Sequence, residues 1–95
     1  MEIKHQLNGT KGLFYIEQDG KKVAEMEYTQ AGDHRMIINH TEVSDTLRGK
    51  GAGMQLVRSA ADHARKNKMK IFPLCPFTRS VFEKKPEEFS DVWDH

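Results

Sequence analysis

The clearest chemical signal in the sequence is a basic, glycine-rich turn, Arg48-Gly-Lys-Gly-Ala-Gly53, which follows an apolar-rich run ending at Val43 and opens into a helix-period pattern. Its glycines allow backbone conformations closed to other residues and let a ligand approach the main chain. The first amides of a helix have no partner inside the helix, and the helix dipole favours negative charge there. Arg48 and Lys50 add full positive charges. The turn therefore predicts a binding site for phosphate or pyrophosphate.

Two better-known phosphate-binding loops do not fit these residues. The loop of nucleotide hydrolases ends in Lys followed by Ser or Thr, whereas Gly53 is followed here by Met54. The dinucleotide fingerprint requires Gly-x-Gly-x-x-Gly, whereas the glycines of this turn are at positions 49, 51 and 53. The turn therefore belongs to neither class.

Strands are predicted before the turn, because runs of apolar and β-branched residues alternate with Gly, Asn and Asp clusters. Asp19-Gly20 is a strong signal for a two-residue hairpin. The predicted strands are Ile3–Leu7, Leu13–Gln18, Val23–Thr29 and Arg35–Val43.

The strand that leads into the turn carries polar residues toward its carboxyl end. Successive side chains of a strand point to opposite faces. Strict alternation predicts one face with Met36, Ile38, His40 and Glu42, and the other with Ile37, Asn39, Thr41 and Val43.

A helix and a returning strand are predicted after the turn. The helix spans about residues 51–67, with an apolar stripe at helical spacing. Lys70–Cys75 is short and apolar and is predicted to pair in parallel with the strand before the turn, through a right-handed crossover. Because ligands of such sheets bind at the carboxyl ends of the strands, we expect His40, Glu42 and Cys75 to meet there.

Two further helical segments are predicted at the end of the chain. Phe77, Val81 and Phe82 have helical spacing, and Thr78 is predicted to cap the start of this helix. A second segment, from Pro86 onward, is predicted to be a short helix or turn.

Composition limits the function classes. A chain of 95 residues is expected to form one domain, residues 1–95, because a core of this size does not divide. Lys and Arg number 15 against 14 Asp and Glu, so we expect no nucleic-acid partner. No apolar run is long enough to span a bilayer, and no metal-ligand spacing is present. The single cysteine, Cys75, fits a reducing compartment, so we expect a cytoplasmic protein.

The signature Arg48-x-x-Gly51-x-Gly53 resembles the pyrophosphate-binding turn of the Gcn5-related N-acetyltransferases. With Asn39-His-Thr-Glu-Val43 and Pro73-Leu-Cys-Pro-Phe77, the chain resembles, over essentially its whole length, the small single-domain Gcn5-related N-acetyltransferase-like (YjdJ-type) proteins. The resemblance implies an α+β fold with a mixed, mostly antiparallel sheet. A parallel strand pair would surround the coenzyme A cleft, with two to three helices.

The same resemblance implies which residues bind the cofactor, acetyl-coenzyme A. Glu42 and Val43 would offer backbone hydrogen bonds to its pantetheine arm. No helical segments precede the third strand, whereas larger relatives build their acceptor side from such helices. The implied cofactor-binding residues are Val43, Arg48, Gly49, Lys50, Gly51, Ala52 and Gly53.

Acetyl transfer requires a base that takes the proton of the acceptor amine, or a nucleophile that carries the acetyl group. One hypothesis makes Cys75 the nucleophile and His40 its proton acceptor, because a thiolate beside an imidazole is more reactive. The alternative makes His40 or Glu42 the base, with Cys75 protonating the leaving thiolate.

We therefore predict an N-acetyltransferase that moves acetyl from acetyl-coenzyme A to an unidentified amine on a small molecule or a protein. The alternatives are a non-catalytic module that binds or senses coenzyme A, and an interaction domain whose turn binds nothing. The predicted state is a monomer or a weak homodimer, because the sheet has an exposed edge.

Overall fold

The computed structural model describes residues 1–95 as five strands, a 3₁₀ turn and three helices. The strands are β1 Lys4–Asn8, β2 Lys11–Gln18, β3 Lys21–Gln30, β4 Arg35–Val43 and β5 Lys70–Pro73. The 3₁₀ turn is Asp45–Leu47, and the helices are α1 Ala52–Lys66, α2 Pro76–Lys84 and α3 Pro86–Phe89.

The sheet is mixed, as predicted. Its strand order follows the chain, with β1 to β4 antiparallel and β5 parallel to β4. The two-residue turn between β2 and β3 is formed by Asp19 and Gly20, both at positive φ (52° and 77°), as a hairpin turn of this type requires. The predicted α+β fold with one parallel pair is confirmed.

Helix α1 packs one face against the sheet. The predicted stripe of Leu56, Val57, Ala60, Ala61 and Ala64 is fully buried. These residues belong to one cluster of 21 buried apolar residues, which also includes core-facing side chains of the central strands. The small alanines keep the helix close to the sheet, so the position of its first turn relative to β4 is well determined.

The carboxyl-terminal segment closes the other end of the core. The rings of Phe82 and Phe89 stack with centroids 5.1 Å apart. Arg65 pairs with Asp91 and Arg58 with Glu88, which ties α1 to α3 and the residues after it. These contacts hold α2 beside α1.

The prediction that Thr78 caps α2 is wrong. The helix begins at Pro76, whose missing N–H is tolerated at the first helical position, and Cys75 is the N-cap residue. Thr78 therefore lies inside the first turn, where its side chain is fully buried.

Candidate functional site

A cleft of about 600 Å³ opens between the end of β4, the start of α1 and one side of α2. Its floor is apolar and its rim is basic. The lining residues are Thr41, Val43, Leu47, Arg48, Gly49, Gly51, Ala52, Gly53, Met54, Phe77, Val81, Lys84 and Lys85. The predicted phosphate-binding turn thus forms one wall, and α2 forms the wall opposite.

The turn presents free backbone donors to this cleft. Gly51 is the N-cap of α1 with φ 72°, and no side chain caps the helix. The amides of Ala52, Gly53 and Met54 have no backbone partner, and neither has that of Gly49. These donors lie at the positive end of a 15-residue helix, so the wall is suited to an anion.

Gly53 packs closely against α2. A Cβ atom at this position would lie 2.7 Å from Cζ of Phe77 in α2. The contact brings the first turn of α1 against α2. A side chain at Gly53 would require the Phe77 ring, which is 43% exposed, to shift.

Three cationic residues lie on the rim. Arg48 is exposed and pairs with Asp45, its neighbour in the 3₁₀ turn. Lys84 and Lys85, at the end of α2, have no carboxylate partner within 4.0 Å. Their charge is therefore available to a ligand. Neither lysine is among the cofactor-binding residues predicted from the sequence.

Lys50 does not line the cleft, contrary to its prediction as a binding residue. Its side chain is exposed, and its amide donates to the carbonyl of Leu47 at 3.1 Å. Its backbone donor is therefore used to close the 3₁₀ turn. The other predicted binding residues, Val43, Arg48, Gly49, Gly51, Ala52 and Gly53, do line it.

The parallel pair separates beside the cleft. Pairing of β4 with β5 ends at Ile38, whose carbonyl accepts from Cys75 N–H at 2.9 Å. Beyond this point β4 has a free edge. Ser44 N–H donates to the carbonyl of Val23 in β3, so by backbone alternation the N–H and C=O groups of Val43 and Thr41 point to the free edge. Of the two residues predicted to offer backbone hydrogen bonds, Val43 lies on this edge and Glu42 does not; Thr41 takes its place.

A β-bulge exchanges the predicted faces of β4 after Asn39, while Met36 and Ile38 share a face as predicted. Glu27 pairs with His40 but the next residue, Tyr28, pairs with Ile38, so Asn39 is the extra residue. The core-facing set is therefore Met36, Ile38, Thr41 and Val43. Strict alternation placed His40 and Glu42 with the core-facing residues, and this prediction is wrong.

His40 and Glu42 consequently lie on the open face of the sheet. Their side chains are 59% and 67% exposed, and His40 Nε2 lies 3.7 Å from Glu42 Oε2. Neither lines the cleft. The expected meeting of His40, Glu42 and Cys75 does not occur, and Thr41 occupies the position beside the cysteine instead.

Cys75 does not itself line the cleft; it lies behind Thr41, a residue that does. Its side chain is buried, and Sγ is 3.5 Å from Oγ1 of Thr41. Burial raises the pKa of the thiol. The thiol donates to Oγ1 of Thr41, and the Thr41 hydroxyl and the Thr78 and Phe77 amides act against burial and outweigh it, so the pKa lies below its usual value.

No helix precedes β4 in this chain. The open face of the sheet instead carries a shallow polar depression of about 310 Å³, with Glu27, Thr29 and Asn39 among its lining residues. No group of three or more His, Cys, Asp and Glu side chains could hold a metal ion. None of the helices has the length and apolar character needed to cross a membrane.

Comparison with known proteins identifies the family. A sequence profile described as GCN5-related N-acetyl-transferase matches residues 13–92. This range includes the glycine-rich turn, the separated strand pair and all three helices. The chain therefore belongs to the GCN5-related N-acetyltransferase family. A search of curated proteins found no match.

Solved structures agree with this assignment. The solution structure of a GCN5-like protein from Staphylococcus aureus is 32% identical, with a TM-score of 0.71, over 98% of this chain and 87% of that one. A ribosomal-protein-alanine N-acetyltransferase from Brucella melitensis is 20% identical, with a TM-score of 0.63, over 79% of this chain and 62% of that one.

An aminoglycoside N-acetyltransferase, AAC(6')-Iy, solved with coenzyme A is 11% identical, with a TM-score of 0.61, over 81% of this chain and 67% of that one. At identities of 20% and 11%, the Brucella and aminoglycoside enzymes share the fold with this chain. The chain spans most of the staphylococcal protein but less than two thirds of the Brucella enzyme.

Proposed function

We propose that the protein binds acetyl-coenzyme A in the cleft and transfers the acetyl group to an amine. The observation that carries this proposal is the order of groups along the cleft. Unpaired amides and Arg48 lie on the wall formed by the turn, the free backbone edge of Val43 and Thr41 follows, and Cys75 lies directly behind Thr41. A ligand with a diphosphate, an amide-bearing arm and a thioester has its groups in the same order.

The cleft also fits the ligand in size and charge. Its volume of about 600 Å³ is within the range of small-molecule sites, roughly 300–1,000 Å³. The amides of Ala52 to Met54 and Arg48 would hold the diphosphate. Lys84 and Lys85 on the facing wall would take the remaining phosphate. Phe77 and Val81 supply an apolar surface between the charged groups.

Cys75 is the residue we propose as the acetyl acceptor within the protein. The bound thioester would supply an activated acetyl group. Cys75 is the only cysteine, and it contacts a cleft residue. Its pKa is lowered because the effects of Thr41 and of the polar groups at the start of α2 outweigh burial. His40 and Glu42 are the less favoured candidates for a base, because both face away from the cleft.

Calorimetric titration of the protein with acetyl-coenzyme A, followed by intact-mass measurement, tests the proposal. We expect saturable binding and a mass increase of one acetyl group that maps to Cys75. Addition of a panel of primary amines should then remove the acetyl group and release coenzyme A in repeated turnovers. Absence of binding heat together with an unchanged unfolding temperature would reject the cleft as a coenzyme A site.

A non-catalytic module that binds or senses coenzyme A is the second candidate. It is favoured by the absence of helices before β4 and by the position of His40 and Glu42, which leaves the cleft without a side-chain base. The two candidates differ in turnover. Binding without acetylation of Cys75 and without transfer to any amine would select the second candidate.

A further inference from the structure

The surroundings of Cys75 contain only uncharged hydrogen-bond donors. Thr41 approaches from β4, and Phe77 and Thr78 belong to the first turn of α2. Among the ionisable residues of these elements, His40 and Glu42 are on the open face of β4, and Lys84 is a cation at the far end of α2. On α2, Arg79 is exposed and pairs with Glu83 at 3.7 Å. No side-chain base is therefore available to take a proton from the thiol.

The first turn of α2 has amide donors that no backbone carbonyl accepts from. Cys75 is its N-cap residue, and no side chain caps the helix. The amides of Phe77 and Thr78 have no backbone partner. These are the positions whose N–H groups normally donate to the side chain of the N-cap residue. A thiolate at Cys75 would accept both bonds.

Thr78 adds an independent observation. Its hydroxyl is fully buried, and no group of the chain forms a regular hydrogen bond with it. A buried hydroxyl without a partner destabilises a fold, so its presence here calls for an acceptor. The hydroxyl contributes to lowering the pKa of Cys75, as the Thr41 hydroxyl does, against the opposing effect of burial.

We propose that the hydroxyls of Thr41 and Thr78 and the amides of Phe77 and Thr78 form an anion hole that holds Cys75 as a thiolate, ready to attack the acetyl thioester without a side-chain base. This inference rests on the proposed function for its substrate. It assigns Thr41 and Thr78 as positioning residues, which act through the cysteine.

The chemistry balances without a further reagent. The Sγ lone pair forms a bond to the acetyl carbon, and the bond between that carbon and the sulfur of coenzyme A breaks, so coenzyme A leaves as a thiolate. The acceptor amine then attacks the same carbon and displaces Sγ, which returns to the anion hole as a thiolate. The proton of the amine passes to solvent.

The anion hole is tested on the protein alone, without acetyl-coenzyme A. Because Cys75 is the only cysteine, protein labelled with ¹³C at cysteine Cβ gives one signal whose shift with pH reports the thiol pKa. We expect a value below about 8.5, the pKa of a free cysteine. The isosteric changes Thr41→Val and Thr78→Val should each raise it by about one unit, because each removes a hydrogen bond to a charged group.

Matched variants separate the anion hole from general damage to the fold. Thr78→Ser and Thr41→Ser keep the hydroxyl and should keep the low pKa. Thr10→Val changes an exposed threonine in the turn between β1 and β2 and should leave it unchanged. A wild-type pKa of 8.5 or above, or a pKa that Thr78→Val does not raise, would overturn the inference.

The proposed function is judged separately, by titration of the same samples with acetyl-coenzyme A. Binding of acetyl-coenzyme A together with an ordinary thiol pKa would reject the anion-hole inference and support the proposed cofactor site. A low thiol pKa that rises in both valine variants supports the anion hole whatever the titration shows. Failure to bind would then count against the proposed function alone.

Discussion

The hairpin half of the molecule, β1 to β3, and the cleft half, from the end of β4 to α2, satisfy their polar groups differently. In the hairpin half, Tyr28 bonds to His5 at 2.6 Å, and the His5 and Phe14 rings stack at 4.3 Å. In the cleft half, helix amides, two lysines and the Thr78 hydroxyl have no regular partner. Unsatisfied groups thus concentrate where a ligand is proposed to bind.

The comparison predicts that changes in the hairpin half affect stability and changes in the cleft half affect binding. The largest effect is expected for Gly12→Ala. A Cβ atom there would lie 2.1 Å from Cζ of the buried Tyr28. We expect a loss of about 1–3 kcal/mol in the free energy of unfolding, measured by urea denaturation.

The control for this change is acetyl-coenzyme A affinity at a temperature where the variant stays folded. Affinity should equal that of the wild type, because Gly12 is remote from the cleft residues. A variant as stable as the wild type would contradict the close packing of Tyr28 over Gly12.

Arg48→Ala should do the opposite and weaken binding with little effect on stability. Its side chain is exposed, so we expect the fold to tolerate the change, whereas loss of a charge-assisted phosphate contact should weaken binding by about 1–3 kcal/mol. Calorimetry measures the change in Kd. Lys50→Ala, two residues along and outside the cleft, is the matched control and should bind as the wild type does.

Lys84 and Lys85, at the end of α2, are proposed to contact one particular phosphate of the ligand, which can be tested with a ligand that lacks it. We expect the double change Lys84→Ala with Lys85→Ala to weaken coenzyme A by about 1 kcal/mol, and to weaken dephospho-coenzyme A less, because one phosphate contact is then already missing. Lys66→Ala, at the far end of α1, is the control. Equal losses for both ligands would place these lysines away from the third phosphate.

The smallest effect is a pH dependence where the hairpin half meets α1, at His5 of β1 and His63 of α1, whose ring centroids are 4.7 Å apart. Burial lowers the pKa of His5 and of His63, and the charge of a neighbouring cation adds to it. Both histidines are therefore favoured neutral in the folded state. Their contribution to stability is present above the ordinary histidine pKa, about 6.5, and is lost as the pH falls toward the lowered values.

Urea denaturation at pH 7.5, 6.5 and 5.5 measures this dependence. The wild type should lose stability as the pH falls through this range. His63→Gln should reduce the loss, because it removes one of the two groups. An identical pH dependence in the variant would show that other groups titrate.

The fold and the position of the turn followed from local signals in the sequence. The Asp19-Gly20 turn, the alanine-rich stripe of α1 and the crossover to β5 are each encoded by nearby residues, and the structure has all three. The glycines of the turn predicted an anion site, and the free amides of α1 are consistent with it.

The face of β4 could not be predicted in the same way. Alternation is a local rule, but the bulge at Asn39 depends on pairing with β3. Because of this one extra residue, Thr41 and Val43 face the core in place of His40 and Glu42. The buried position of Thr78 also depends on distant contacts, so the sequence predicted it only as a helix cap. Sequence alone did not distinguish Lys84 from a residue of a solvated helix face, and it did not indicate Lys85, because only helix packing brings them to the cleft.

The most direct test of the central claim is a ¹H–¹⁵N spectrum of the protein titrated with acetyl-coenzyme A. We predict shifts for the amides of Gly49, Ala52, Gly53 and Met54 and for Thr41 and Val43 on β4, while Gly9 and Gly20 in the hairpin turns stay unchanged. Shifts confined to the hairpin half or to the open face of the sheet, or no shifts at saturating ligand, would contradict the claim.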